Sequence, residues 1–188
     1  MNQEIKYDFG WGNPYFLLNL LNSRYTQKIY PYDIKGMSYA EDEGRPELVE
    51  LIKKTIKEQM GLDYKYIVIT NGATQAINIL LRAMAFNNCR DRVKETVCTH
   101  KYGYPFYDDM IKKAGYERKI MGTESPYDNT IYLIDSPSNP LGIQSKFAKQ
   151  FDMDAIWDAV YHNKIYNANP LIMPNTASMV NSFSKTLG

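Results

Sequence analysis

The sequence has little sulfur chemistry to offer: 188 residues carry only two cysteines, Cys89 and Cys98, and two histidines, His100 and His162. Two cysteines make no disulfide framework, and neither they nor the histidines have partners at metal-ligand spacing. No metal site is expected. Also missing is any run near the roughly 18 apolar residues of a membrane span, and the start, MNQEIKYDFGWGNPYF, has neither the basic opening nor the apolar stretch of a secretory signal. No charge excess exists either: 22 basic against 21 acidic residues leave a net charge of +1, with no footprint for nucleic acid or an anionic membrane. The expectation is a soluble, reduced, cytoplasmic protein. No G-x-S-x-G or Cys/His arrangement for nucleophilic catalysis is present.

What is there is tyrosine, 16 in all, and a regular alternation of apolar patterns. Residues 1–44 are broken by Gly10, Gly12, Pro14, Pro31 and Gly36 and read as an arm or partial small domain. From residue 45 to 188 the pattern is that of one larger domain. Pro46 suits a first helical turn, Leu48, Leu51, Ile52, Ile56 and Met60 share a helical face, and Gly61 closes the helix. YIVIT (66–70) predicts a buried strand. A second helix follows with Ile77, Leu80, Leu81 and Met84 inward. ETVCT (95–99), YERKI (116–120), IYLID (131–135) and ASMVNSF (177–183) predict further strands. GYPFYDDMIKKAG predicts a helix with Phe106, Met110, Ile111 and Ala114 inward. Strands alternating with helices imply an α/β three-layer sandwich around a mostly parallel sheet.

Ligands collect where such strands deliver their carboxyl ends, and the residues there form a set. Asn71-Gly72-Ala73-Thr74-Gln75-Ala76 opens a helix after YIVIT, where free N–H groups suit an anion. His100-Lys101-Tyr102 places an aromatic after ETVCT. Ser136-Pro137-Ser138-Asn139-Pro140-Leu141-Gly142 presents an amide. IWDAVY carries Asp158 and Tyr161, and NSFSKTLG delivers Ser182 and Lys185. A pyridoxal 5'-phosphate site asks for these groups: a lysine for the aldehyde, a carboxylate for the pyridine nitrogen, an amide and a phenol for the 3-oxygen, an aromatic for the ring.

At this point the sequence resembles the pyridoxal-phosphate-dependent fold-type I aminotransferases of class I/II. NGATQA is similar to their phosphate turn, SPSNPLG to their N-P-x-G, DAVY to their D-x-x-Y and SFSKTLG to their S-x-S-K-x-x-G. The resemblance implies that Lys185 forms the Schiff base and serves as the catalytic base. It implies that Asp158 pairs with the pyridine nitrogen, that Asn139 and Tyr161 bond the 3-oxygen, and that Tyr102 stacks on the ring, with Tyr104 and Phe106 nearby. Ala73 and Thr74 N–H groups and the Ser182 hydroxyl would hold the phosphate. FGWGNP is similar to the family's G-x-P, putting Gly12 beside the substrate carboxylate, and Tyr39 matches a tyrosine reaching the phosphate of a neighbouring subunit in a homodimer. The implied reaction is nitrogen transfer between an amino acid and a 2-keto acid.

Two departures qualify the resemblance. Only 19 residues lead from Asn139 to Asp158, as in the alliinase and tryptophan-aminotransferase-related branch, which opens β-elimination as an alternative reaction. Family members also continue beyond the lysine with a phosphate loop and a C-terminal small domain. The chain is therefore expected to be a truncated copy, a fragment or one piece of a split enzyme, with a non-catalytic cofactor-binding remnant as a third reading.

Overall fold

The computed structural model describes residues 41–91, 96–122, 129–145, 155–162 and 178–185. Three helices, α1 (Pro46–Met60), α2 (Gly72–Asp91) and α3 (Tyr107–Lys113), accompany five strands: β1 (Thr96–Thr99), β2 (Glu117–Ile120), β3 (Thr130–Asp135), β4 (Ala155–Asp158) and β5 (Ser178–Val180). The strands form one sheet in the order β2-β1-β3-β4-β5. Every pairing in it is parallel. The α/β architecture with a parallel sheet follows as expected.

Alternation sorts the strand side chains onto two faces. Val97, Ile131, Leu133, Ile156 and Val180 point to one, where Ile77 and Leu81 of α2 and Tyr107, Met110 and Ile111 of α3 cover them. Ile77 and Leu81 are four apart, so one helical stripe delivers both. The opposite face holds Cys98, Tyr132, Ile134, Ala155 and Trp157, with Leu62, Tyr64, Met121 and Met179 packed against them. β3 lies at the centre, and all six of its residues are buried. Where Thr96 and Thr130 meet in register, their hydroxyls bond each other at 2.9 Å, so neither is left without a partner.

Four details differ from the sequence reading. YIVIT does not form a strand; Tyr66 is 74% and Val68 57% exposed. The one backbone bond described for the segment outside helices and strands, apart from the Thr70 carbonyl accepting from Gly72, is Ile69 N–H to the Glu43 carbonyl at 2.8 Å. A β-branched run becomes a strand only where a neighbour completes a ladder. On α1 the half-buried stripe is Val49, Ile52, Ile56 and Met60, while Leu48 and Leu51 turn outward. Its left-handed Gly61 cap, with N–H bonded to the Lys57 carbonyl, is as read from the sequence. In α3 Met110, Ile111 and Ala114 face inward as read, but Phe106 does not: the helix begins only at Tyr107, which takes the next inward position on the same face, and Phe106 precedes it exposed. Finally, β4 forms from AIWD, a strand the sequence reading did not assign.

The sheet order sets the position of the site. From β1 the chain adds β2 on one side and then β3, β4 and β5 on the other, so the connections leave β1 and β3 in opposite directions. A crevice opens outside the carboxyl ends of strands at such a reversal.

Candidate functional site

A cleft of about 210 Å³ occupies that position. One wall is the start of α2, with Gly72, Ala73 and Thr74. This first turn carries no acidic residue, so nothing there competes with an anion for the N–H groups that a helix leaves without internal partners. Ser182 and Ser184 stand on the same cleft. Their hydroxyls bond each other at 3.0 Å, and the Ser184 N–H donates to Ser182 Oγ at 3.2 Å. Lys185 ends the short 3-10 turn Phe183–Lys185, and its Nζ lies 5.7 Å from the centroid of the Tyr161 ring.

The floor is built by strand ends. Asp158 is the last residue of β4, half-buried and open to the cleft. Its Oδ2 accepts the Tyr107 hydroxyl at 2.6 Å and its Oδ1 accepts the Val160 N–H at 3.1 Å. Burial raises the Asp158 carboxyl above the usual carboxylate range; the Tyr107 and Val160 donors oppose the rise and the charge of Asp135 adds to it. Burial, followed by the charges of Asp158 and Asp135, pushes the Tyr107 phenol well above 10. Asn139 comes from the turn after β3, where its backbone N–H donates to Asp135 Oδ2 at 2.9 Å.

Of the residues singled out in the sequence, Ala73, Thr74, Asn139, Asp158, Tyr161, Ser182 and Lys185 all line this one cleft. Tyr102 does not. It is 58% exposed, with Lys101 Nζ 5.4 Å from its ring centroid. Tyr104 and Tyr107 line the cleft in its place, their rings edge-on at 5.7 Å. Three further aromatics within five positions of Tyr102 made sequence order a poor guide, because only the entry of α3 decides which ring turns inward. Gly12 and Tyr39 lie outside the described residues. The sequence reading missed Asp135 and Tyr107. A carboxylate directly ending the apolar run IYLI was the available signal for the first; for the second it was the helical spacing of Tyr107 from Met110 and Ile111.

Among the described residues no group of three or more His, Cys, Asp or Glu side chains could hold a metal ion. No helix among them is long and apolar enough to cross a membrane.

Comparison with solved structures gives the same fold. An aromatic aminotransferase from Pyrococcus horikoshii superposes with a TM-score of 0.66 at 22% identity, covering 92% of this chain and 52% of that one. An Escherichia coli protein described as having a methionine aminotransferase function gives 0.63 at 20% identity, with 93% and 51% covered. An aminotransferase from Mycobacterium tuberculosis gives 0.60 at 24% identity, with 79% and 47% covered. The chain spans about half the length of the structures it matches. Curated protein sequences give no match. The profile described as Allinase matches residues 15–188, nearly the whole sequence. The chain therefore belongs to the allinase family, within the pyridoxal-phosphate-dependent proteins of fold type I.

Proposed function

We propose that this chain is the cofactor-binding part of a pyridoxal-phosphate-dependent enzyme that moves nitrogen between an amino acid and a 2-keto acid. The carrying observation is convergence: Lys185, Asn139, the Asp158–Tyr161 stretch and the first turn of α2 reach one cleft from four separate segments of the chain. The donor set suits the cofactor. The first-turn N–H groups of Ala73 and Thr74, with the Ser182 and Ser184 hydroxyls, match a phosphate. Asp158, shielded on one side by Tyr107, matches a protonated pyridine nitrogen, and Asn139 with Tyr161 matches the ring's phenolic oxygen. Tyr104, which lines the same cleft, would take the ring-stacking role first given to Tyr102.

When bound, the cofactor supplies an electron sink for a carbanion at the substrate α-carbon. The chain's own work is to hold and to move protons. Lys185 Nζ supplies the amine that meets the cofactor aldehyde. The same amine would serve as the base that takes the substrate α-proton and as the acid that gives it back. Asp158 would hold a cationic ring nitrogen through its negative charge. The Tyr107 hydroxyl and Val160 N–H hold that carboxylate in orientation. Two copies of the chain, each lending Tyr39 to the other's phosphate, form part of the same proposal.

A second reading, β-elimination, is favoured by the family match and by the short 139–158 connection. Products separate the two: transfer yields a keto acid without free ammonia, elimination yields pyruvate with ammonia. The test of the common core is addition of pyridoxal phosphate to the purified chain and to Lys185→Ala. The parent should develop a visible absorption band that the variant lacks, and any turnover should fall by roughly 10²–10⁴-fold in the variant. Equal cofactor uptake and equal spectra in the two would overturn the proposal.

A further inference from the structure

The cleft contains a second carboxyl group that the proposed chemistry does not use. Asp135 ends β3 as Asp158 ends β4, and the two are register partners on adjacent parallel strands. Register partners point to the same face of strands about 4.8 Å apart, so these two side chains stand side by side on the face that carries Leu133 and Ile156. Asp158 opens to the cleft, whereas Asp135 sits deeper and is 3% exposed.

Their partners are unequal. Asp158 accepts hydrogen bonds on both oxygens. Asp135 accepts the Asn139 N–H on Oδ2, while its Oδ1 is fully buried with no hydrogen-bond partner among the described residues. The titratable or charged groups that share the cleft with the pair are Tyr104 and Tyr107 at the entry of α3, Tyr161 after β4 and Lys185 after β5, and Arg118 of β2 adds its charge near Asp135. Arg118 spends its described hydrogen bonds on Thr99, Asp108 and the His100 carbonyl instead. Two anions side by side with one oxygen orphaned in the interior form an unfavourable state, and a shared proton removes it.

We propose that Asp135 and Asp158 form a proton-sharing carboxyl pair bearing one negative charge, in which Asp135 is a positioning residue that keeps the charge on Asp158. Burial raises both carboxyls above their ordinary range, in the direction this pairing requires. The pair itself needs no cofactor; its consequence for the ring nitrogen rests on the function proposed above. With the proton on Asp135, Asp158 stays anionic toward the cleft. With Asp135 ionised, the second charge would draw a proton onto Asp158 and weaken its hold on a cationic ring.

The experiment is a carboxyl-carbon NMR titration of the unloaded chain, of Asp135→Asn and of Asp158→Asn, followed by cofactor uptake across the same pH range. Asp135→Asn is isosteric, keeps an acceptor for the Asn139 N–H and gives the pair a permanently neutral member. In the parent the two carboxyls should titrate as coupled steps, the upper one above the usual carboxylate range. In Asp135→Asn the Asp158 step should move to lower pH, and in Asp158→Asn the Asp135 step should do the same. Cofactor uptake by Asp135→Asn should keep the parent's affinity and lose the pH dependence of the upper step. Unmoved titrations in both variants overturn the pairing, even if the cofactor binds. Coupled titrations in a chain that takes up no cofactor leave the pair standing and overturn the proposed function alone.

Discussion

At the scale of single residues, Tyr107 shows how much one side chain joins here. Its ring is fully buried in the core against Met110 and Ile111, and its hydroxyl reaches Asp158 at 2.6 Å. Opposite the ring lies Gly103, where a Cβ would come within 3.3 Å of Tyr107 and 3.7 Å of Asp135 Oδ2. The absence of that carbon lets phenol and carboxyl groups crowd together. Tyr107→Phe keeps the packing and removes the donor, leaving an acceptor short of a partner. The expected cost is about 1–3 kcal/mol of stability, read as a lowered midpoint in chemical denaturation. An unchanged midpoint would show that the bond contributes nothing net. Lys185, Asp158 and Asn139 were legible in the sequence because each sits in a short motif with fixed spacing. Tyr107 and Asp135 were not, since their partners lie 51 positions away in sequence or across a strand pair.

At the scale of elements, the 66–70 segment is the instructive case. Its composition is that of a strand, yet strand formation depends on a ladder, and the segment is tied instead to the Glu41–Gly44 turn through Ile69 and Glu43. Gly44 is where the two stretches touch. Its φ of +118 lies in a region that L side chains rarely adopt, and a Cβ there would fall 2.6 Å from Ile69 Cγ1. Gly44→Ala should therefore cost on the order of 1–3 kcal/mol, seen as a lower thermal midpoint, and should increase amide exchange at Ile69. Exchange at Ile69 unchanged from the parent would show that the turn does not hold the segment. The strands that were correctly read, β1, β2, β3 and β5, have neighbours in one continuous parallel sheet. The phase of α3 was legible, with Met110, Ile111 and Ala114 inward as read, but its start was not, because Gly103 and Pro105 leave several first turns open before Tyr107.

For the whole molecule, the buried titratable groups give a pH profile with two opposing limbs. Burial lowers His100 and His162 from 6.5, so the unfolded chain binds their protons more readily; the stability they contribute is present above 6.5 and lost as pH falls through their folded values. Burial raises Asp135 and Asp158 from 3.8, so their contribution is present below 3.8 and lost as pH rises through their folded values. Relative to the parent, Asp135→Asn should gain stability progressively above pH 3.8, and His162→Gln should gain it progressively below 6.5. Urea midpoints measured across that range check both, and a constant offset in either variant would exclude the corresponding limb. The sequence by itself determined the α/β alternation, the order of the motifs and the chemical types gathered at strand ends, because these follow from local periodicity and from residues a few positions apart. Only the tertiary structure decided which tyrosine enters the cleft, which apolar run finds a ladder, and that two carboxyls end adjacent strands side by side. Those outcomes depend on strand register and on where a helix begins, which are set by contacts between segments distant along the chain.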